Sequence, residues 1–299
     1  MAADPNYASV SLLLHGDGAN GSTTITDNSA NPKTVTAGGN AQISTAQSKF
    51  GGSSLYFDGT GDYLSIPAHA DFQFGTGAFT IEAWLYMTAT PGAQGAQIFG
   101  RQEYGAGSDY VFLVKSDRTV TFYLSNAAAN VATSTATVPL NTWCHVAVTR
   151  SGTTFYVFVD GVGASGTSAL STEVPYAVSY SIGADQNGDE TNYTGHIDDL
   201  RITKGVARYT ATFTPPAIAH PDGMGEVSGV IRDDTGALCA RTVRIINRST
   251  GALIASTTSN ASTGAYALPT PTLDEVQRIV LDDSGGTLYN DIIDRVIPS

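Results

Sequence analysis

Between residues 79 and 87 every second side chain is apolar: Phe79, Ile81, Ala83, Leu85 and Met87 alternate with Thr80, Glu82, Trp84 and Tyr86. A period of two is the repeat of an extended chain, whose successive side chains point to opposite faces. A helix would scatter the same apolar residues around its circumference. The pattern recurs along the chain between turn signals. Residues 110–115 and 120–124 flank Ser116-Asp117-Arg118-Thr119, and residues 143–149 and 154–159 flank Arg150-Ser151-Gly152-Thr153. Each reads as an antiparallel hairpin, and the second ends on another turn pair, Asp160-Gly161. Long helical periodicity is nearly absent. Residues 272–281 are the best helix candidate, and Val276, Ile279 and Val280 fit a strand about as well. The expected class is therefore all-β, with antiparallel sheets packed face to face.

A chain of 299 residues, 41% of them hydrophobic, can bury more than one core. The net charge of −12 argues against a protein that coats nucleic acid, because such a protein needs a basic face. No apolar run approaches the ~20 residues of a transmembrane helix. The lack of heptads excludes a coiled coil. Cys144 and Cys239 lie in separate strand-like runs and read as free, mostly buried thiols. Met1-Ala2-Ala3-Asp4-Pro5 has neither a basic nor an apolar stretch, so no signal peptide is expected.

One segment differs from the rest. Residues 213–223, Phe213-Thr214-Pro215-Pro216-Ala217-Ile218-Ala219-His220-Pro221-Asp222-Gly223, read as extended linker chain. The expected organisation is a large domain over 1–214, a linker over 215–224 and a small β-sandwich over 225–299. In the last part Thr-Gly-Ala recurs at Thr235, Thr250 and Thr263, each time between strand-like runs, as turns of a small antiparallel sandwich would.

Several phrases of the large domain occur in a familiar order. They are Lys49-Phe50-Gly51-Gly52-Ser53-Ser54-Leu55-Tyr56-Phe57-Asp58-Gly59, then Asp62-Tyr63-Leu64-Ser65-Ile66-Pro67, then Phe79-Thr80-Ile81-Glu82-Ala83-Trp84. Trp143-Cys144-His145-Val146-Ala147-Val148-Thr149-Arg150 follows, then Tyr156-Val157-Phe158-Val159-Asp160-Gly161, Ile182-Gly183, and Gly195-His196-Ile197-Asp198-Asp199-Leu200-Arg201-Ile202. In this order they resemble the laminin-G-like jelly rolls of the concanavalin A-like lectin/glucanase superfamily. The closing Lys204-Gly205-Val206-Ala207-Arg208-Tyr209 and Phe213-Thr214-Pro215-Pro216 resemble versions found in bacteriophage structural proteins. The C-terminal part is similar to small immunoglobulin-like or carboxypeptidase-regulatory-like modules.

The resemblance implies an antiparallel two-sheet jelly roll and one structural Ca2+ tying the N-terminal strands to the late Ile-Asp-Asp-Leu strand. Its matching positions are Asp27, Asp198 or Asp199, and Asp58. Asp-Gly and Asp-Asn pairs are also ordinary turn formers, and that reading stays open beside the metal. Transition metals find no support in the spacing, because His15, His69, His145, His196 and His220 are dispersed. Sugar binding would use loop aromatics with polar neighbours: Tyr104, Tyr176, and Tyr193 with Asn192 and Asp189. Each could equally anchor a loop. Trp84 and Trp143 match the family's strand aromatics and are expected in the core.

The superfamily also holds glucanases, but their Glu-x-Asp-x-x-Glu run is absent here, and Glu82 has no carboxylate at 80 or 84. Asp185, Asp189 and Glu190 fall in a Gly/Asn loop. No Gly-x-Ser-x-Gly or phosphate-cradling loop is present. The expectation is a non-enzymatic virion protein on the particle exterior (tail, fibre or head surface), assembled in the host cytoplasm. It would be present as a homo-oligomer or in many copies, with other virion proteins and host-surface glycans as partners and neither nucleic acid nor membrane. In that arrangement the small module docks and the jelly roll is displayed. Two other readings compete: a capsid decoration or tail-assembly protein acting through protein contacts alone, and a polysaccharide hydrolase.

Overall fold

The computed structural model describes residues 4–101, 110–124, 127, 129–169, 179–185, 188, 190–223, 225–233, 235–247, 253–270, 276–281 and 291–296. The chain divides into two compact units, Ser9–His220 and a second made of Met1–Ala8 with Pro221–Ser299.

Ser9–His220 is a sandwich of two antiparallel sheets. The first runs in the order Val162–Thr167 (β14), Thr154–Val159 (β13), Cys144–Ser151 (β12), Phe79–Met87 (β7), Thr194–Lys204 (β16), Ser54–Asp58 (β5) and Gln42–Ser44 (β4). Val10–Leu14 (β1) also pairs with β16. The second runs Ala129–Thr137 (β11), Thr119–Leu124 (β10), Tyr110–Val114 (β9), Ala96–Gly100 (β8), Tyr180–Ile182 (β15), Tyr63–Ile66 (β6), Val35–Gly38 (β3) and Thr24–Ile25 (β2). Both expected hairpins form, β9–β10 and β12–β13. Positive φ at Arg118 (65°) and Gly152 (59°) closes their turns.

The inner faces meet in a core rich in aromatic rings. Phe79 of β7 and Phe155 of β13 come from the first sheet, and Tyr110 and Phe122 from the second. Phe122 lies 5.5 Å from Phe79, 5.5 Å from Tyr110 and 5.4 Å from Phe155 between ring centroids. These interlocked rings bridge the sheets, and each is fully buried.

The second unit is also β. Gly225–Val230 (β17) pairs with Ala265–Thr270 (β20). A four-stranded sheet runs Leu253–Thr258 (β19), Thr242–Asn247 (β18), Val276–Leu281 (β21) and Asp291–Val296 (β22). Val227, Ile231, Val243, Ile245, Tyr266, Leu268 and Val280 form its core. The helix candidate at 272–281 is a strand from Val276 on, since its apolar residues pair across to β18. Two of the Thr-Gly-Ala copies are turns, with Gly236 at φ +84° and Gly264 at +62°. The copy at 250–252 lies outside the described residues.

Two boundaries differ from the sequence reading. Met1–Ala8 groups with the C-terminal unit, where the Asp4 N–H donates to the Gly223 carbonyl. The division falls between His220 and Pro221, because residues 206–220 pack onto the large unit instead of forming free linker chain. Both cysteines are free; Cys144 is buried and Cys239 half-buried.

Phe122→Ala would leave a cavity between two close-packed sheets, and it should cost about 3–5 kcal/mol in denaturant unfolding of the large unit.

Candidate functional site

Phe79, Ile81, Ala83, Leu85 and Met87 fill the inner face of β7, so Thr80, Glu82, Trp84 and Tyr86 point away from the core. The same parity turns His145 and Thr149 of β12, His196, Asp198, Arg201 and Thr203 of β16, and Tyr56 of β5 outward. An outward face should be wet, yet most of β7 is buried on both sides. A strap at residues 206–220 crosses the face. The Thr80 hydroxyl donates to the Val206 carbonyl (2.9 Å) and accepts from the Arg208 N–H (3.0 Å). Tyr209 and Phe213 stack at 3.7 Å, edge-on to His145 and Phe158.

Beneath the strap Glu82 is fully buried. Its Oε1 accepts from Arg201 Nε (3.0 Å) and Nη2 (2.7 Å), and Oε2 accepts from the Tyr209 hydroxyl (2.7 Å). His145 Nε2 stands 3.3 Å and His220 Nε2 3.6 Å from Oε2. Burial pushes this carboxyl up, but Arg201 first, then His220 and His145, outweigh it and hold Glu82 well below the ordinary range. Burial lowers His220 to about 4, so its ring is neutral at pH 7.

A bulge interrupts the β16–β7 register between Asp198 and Arg201, with Asp199 at φ 52°. The two aspartates therefore have different surroundings. Asp199 Oδ1 meets His15 Nδ1 at 2.7 Å, and Oδ2 accepts from the His220 N–H at 2.8 Å. Asp198 Oδ2 accepts from the N–H groups of Lys49 (2.6 Å) and Phe50 (3.1 Å), while its Oδ1 is buried with no hydrogen-bond partner. Burial raises Asp198 to about 7 against those two bonds, and the negative charges of Asp199 and Asp17 add to the rise. Asp17 is itself raised, by burial and by Asp199 against the pull of His15. Its carboxylate lies over Gly51 (φ +64°), where a Cβ would collide with it.

The aspartates matched to calcium are thus dispersed. Asp27 is saturated within its own loop: Oδ1 accepts from the N–H groups of Leu13 and Ser29, and Oδ2 from the Ser29 hydroxyl and the Lys33 N–H. Asp58 is exposed and accepts from the Thr60 N–H and Asn40 Nδ2. Among the described residues no three of Asp27, Asp58, Asp198 and Asp199 meet as a ligand set. Asp198 keeps an unsatisfied oxygen, and the negative charges that act on it are those of Asp199 and of Asp17, which sequence spacing did not single out.

Beyond the strap one row of the sheet is open. Tyr56 of β5, His196 of β16, Tyr86 of β7 and Trp143, next to β12, lie side by side across four strands. Their ring centroids are 4.9, 6.1 and 5.5 Å apart in that order. Tyr56, Tyr86 and Trp143 are half-buried, with ring surface left to solvent. Trp84 is buried as expected, on the outward face with Lys49 Nζ 3.7 Å from its ring centroid, whereas Trp143 is half-buried and lies outside the core. Of the loop candidates, Tyr193 is fully buried, edge-on to Phe57, and its hydroxyl donates to the His196 carbonyl at 3.0 Å. Its ring has no face for a sugar. Asn192 is half-buried, with an unpartnered Oδ1. Tyr104, Tyr176 and Asp189 lie outside the described residues.

Residues 58–208 match a laminin-G family model described as concanavalin A-like lectin/glucanases superfamily. Among solved structures, domain 4 of AbnA, a GH43 extracellular arabinanase from Geobacillus stearothermophilus in complex with arabinotriose, is similar at 17% identity and a TM-score of 0.51. The match covers 69% of this chain and 95% of that domain, and it shows a shared fold. Trypanosoma rangeli sialidase in its covalent-intermediate complex matches at 16% identity and a TM-score of 0.47, over 67% of this chain and 31% of its own. The binding domain of Paraclostridial mosquitocidal protein 1 matches at 11% identity and a TM-score of 0.47, over 97% and 73% of the two chains. No curated protein sequence matches the chain.

Two stability experiments probe this face. Arg201→Met strands the buried Glu82 charge and should cost about 3–5 kcal/mol, with partial recovery in the Glu82→Gln/Arg201→Met double variant on denaturant unfolding. Asp198 is raised from 3.8 to about 7. Between those values the folded state binds the extra proton, so stability falls as pH rises. In chelator-treated buffer the chain should lose on the order of 3–4 kcal/mol from this group between pH 4 and pH 8, and Asp198→Asn should flatten that slope.

Proposed function

The chain belongs to the concanavalin A-like lectin/glucanases superfamily, and on that premise we propose that it is a non-enzymatic glycan-binding protein displayed on a bacteriophage particle. The observation that carries the glycan reading is the open row Tyr56–Tyr86–Trp143. Pyranose rings present flat C–H faces that stack on aromatic rings, and half-buried rings on a rigid sheet lose little freedom on binding. Strands spaced about 4.8 Å apart give a four-strand row a length of about 14 Å, which suits a short oligosaccharide. Arabinotriose, bound in the similarly folded arabinanase domain, is a ligand of that size class. Asn192 is a polar side chain of the adjoining loop. The virion reading rests on the resemblance of 204–209 and 213–216 to phage structural proteins. In it the small β unit, read as immunoglobulin-like, docks on the particle, and many copies compensate for weak single sites.

A hydrolase is the second reading, because one lowered and one raised carboxyl, Glu82 and Asp198, share a sheet face. Both are fully buried, Glu82 under Tyr209 and locked to Arg201, and Asp198 beneath the 49–50 backbone. That burial supports the non-enzymatic reading.

Calcium belongs to the same proposal. The orphaned Asp198 Oδ1 is a carboxylate oxygen that suits a hard cation, and the negative charges of Asp199 and Asp17 act on it, whereas Asp27 and Asp58 do not take part. Such an ion would supply the positive charge that Asp198 lacks.

Four measurements follow. Purified chain should bind host-envelope oligosaccharide, with Trp143→Ala and Tyr86→Ala each weakening it about tenfold, or about 1.4 kcal/mol. Release of reducing ends by the wild-type chain would overturn the non-enzyme reading. Added Ca2+ should raise the Tm of the wild type at pH 8 and leave Asp198→Asn unmoved. Immunogold labelling should place the chain on the particle exterior, and unlabelled particles would exclude the virion role.

A further inference from the structure

We propose that Glu82, His145 and His220 form a binding site for one divalent transition-metal ion of the zinc class. The three residues come from β7, β12 and the end of the strap, and one ligand atom from each lies within 4.8 Å of the others. Zinc bound at about 2.0–2.1 Å with tetrahedral geometry places its ligand atoms about 3.3–3.4 Å apart. The two separations from Glu82 Oε2 are 3.3 Å to His145 Nε2 and 3.6 Å to His220 Nε2, close to that edge without rearrangement.

The nitrogens are also unspent. Neither ring nitrogen of His145 has a hydrogen-bond partner, nor does His220 Nε2, although both residues are at least nine-tenths buried. Buried polar atoms are almost always paired, and leaving one unpaired costs about 1–3 kcal/mol. Two of these atoms, His145 Nε2 and His220 Nε2, stand around the same carboxylate oxygen, and a metal ion held by all three ligand atoms would satisfy both nitrogen lone pairs.

The surrounding groups set the metal's class. Arg201 holds Oε1, which leaves Oε2 as a single-oxygen ligand. The Tyr209 hydroxyl donates to Oε2 at 2.7 Å and lies beside the site. Arg201 and Arg208, the latter 4.0 Å from Oε1, oppose added positive charge, and Asp199, 3.7 Å from His220 Nε2, offsets part of it. A dication held there must gain strongly from imidazole nitrogen, as Zn2+, Ni2+ and Cu2+ do and Ca2+ and Mg2+ do not. The site would clasp the strap to the sheet through residues 63 and 138 positions from Glu82 along the chain. It is independent of the glycan reading and distinct from the oxygen site at Asp198.

The test uses the full chain, stripped by chelator in denaturant and refolded with Zn2+ or Co2+. One metal per chain should survive desalting, and the Co2+ form should show the visible absorption of a four-coordinate site. His145→Gln and His220→Gln should each lower retention at least tenfold, excess Ca2+ should displace nothing, and His69→Ala, at an exposed histidine, should retain metal fully. A wild-type chain that refolds without metal in excess Zn2+, or Gln variants that retain metal as the wild type does, overturns the proposal. If a Gln variant fails to fold, the wild-type Co2+ spectrum decides: six-coordinate or absent absorption counts against it.

Discussion

The large unit depends on one buried ion pair in an unusual place. Glu82 and Arg201 sit on the outward face of a sheet, where side chains ordinarily meet water, and the chain covers them with its own strap. A buried pair alone contributes little net stability, because desolvation offsets the attraction. Its effect here is specificity. Tyr209 bonds to the same carboxylate, Arg208 reaches the Thr203 hydroxyl, and the His220 N–H bonds to Asp199, so the strap has one seating that satisfies these groups. Any shift along the sheet would leave a charge unpaired.

That seating divides the outward face into three zones. The strap closes the end near Thr80 and Glu82. The 49–50 backbone and the Lys49 side chain close the middle over Asp198 and Trp84. The end at Tyr56, Tyr86 and Trp143 is left partly open. Each zone has its own chemistry: nitrogen and one carboxylate beneath the strap, oxygen alone at Asp198, and aromatic faces at the open end. Burial decides what each can do. The carboxyls are perturbed as catalytic groups often are, and both are fully buried.

Most of the fold was legible because alternation is a local property. The 79–87 pattern and the two hairpins needed only neighbouring residues. The helix candidate at 272–281 failed where local pattern was ambiguous and cross-strand pairing to β18 decided. The site was less legible because it is made by register. His145 and His220 are dispersed in sequence and meet only because β12 lies beside β7 and the strap returns across both. A parity argument would have found part of this. Cys144 and Val146 point inward, so Trp143 and His145 must point outward, as Glu82 and Tyr86 do from β7. Tyr193 carried no such signal: it lies just before β16 in a loop, and only the packed structure shows its ring turned inward against Phe57.

The proposed sugar-binding surface is the aromatic row Tyr56, Tyr86 and Trp143. A crystal structure of the chain with a host-envelope oligosaccharide tests it most directly. The account predicts pyranose rings lying over Tyr86 and Trp143, with the strap and the Glu82 cluster unchanged. Sugar bound at the loops away from this row, or within the space around Glu82 and Asp198, would contradict it.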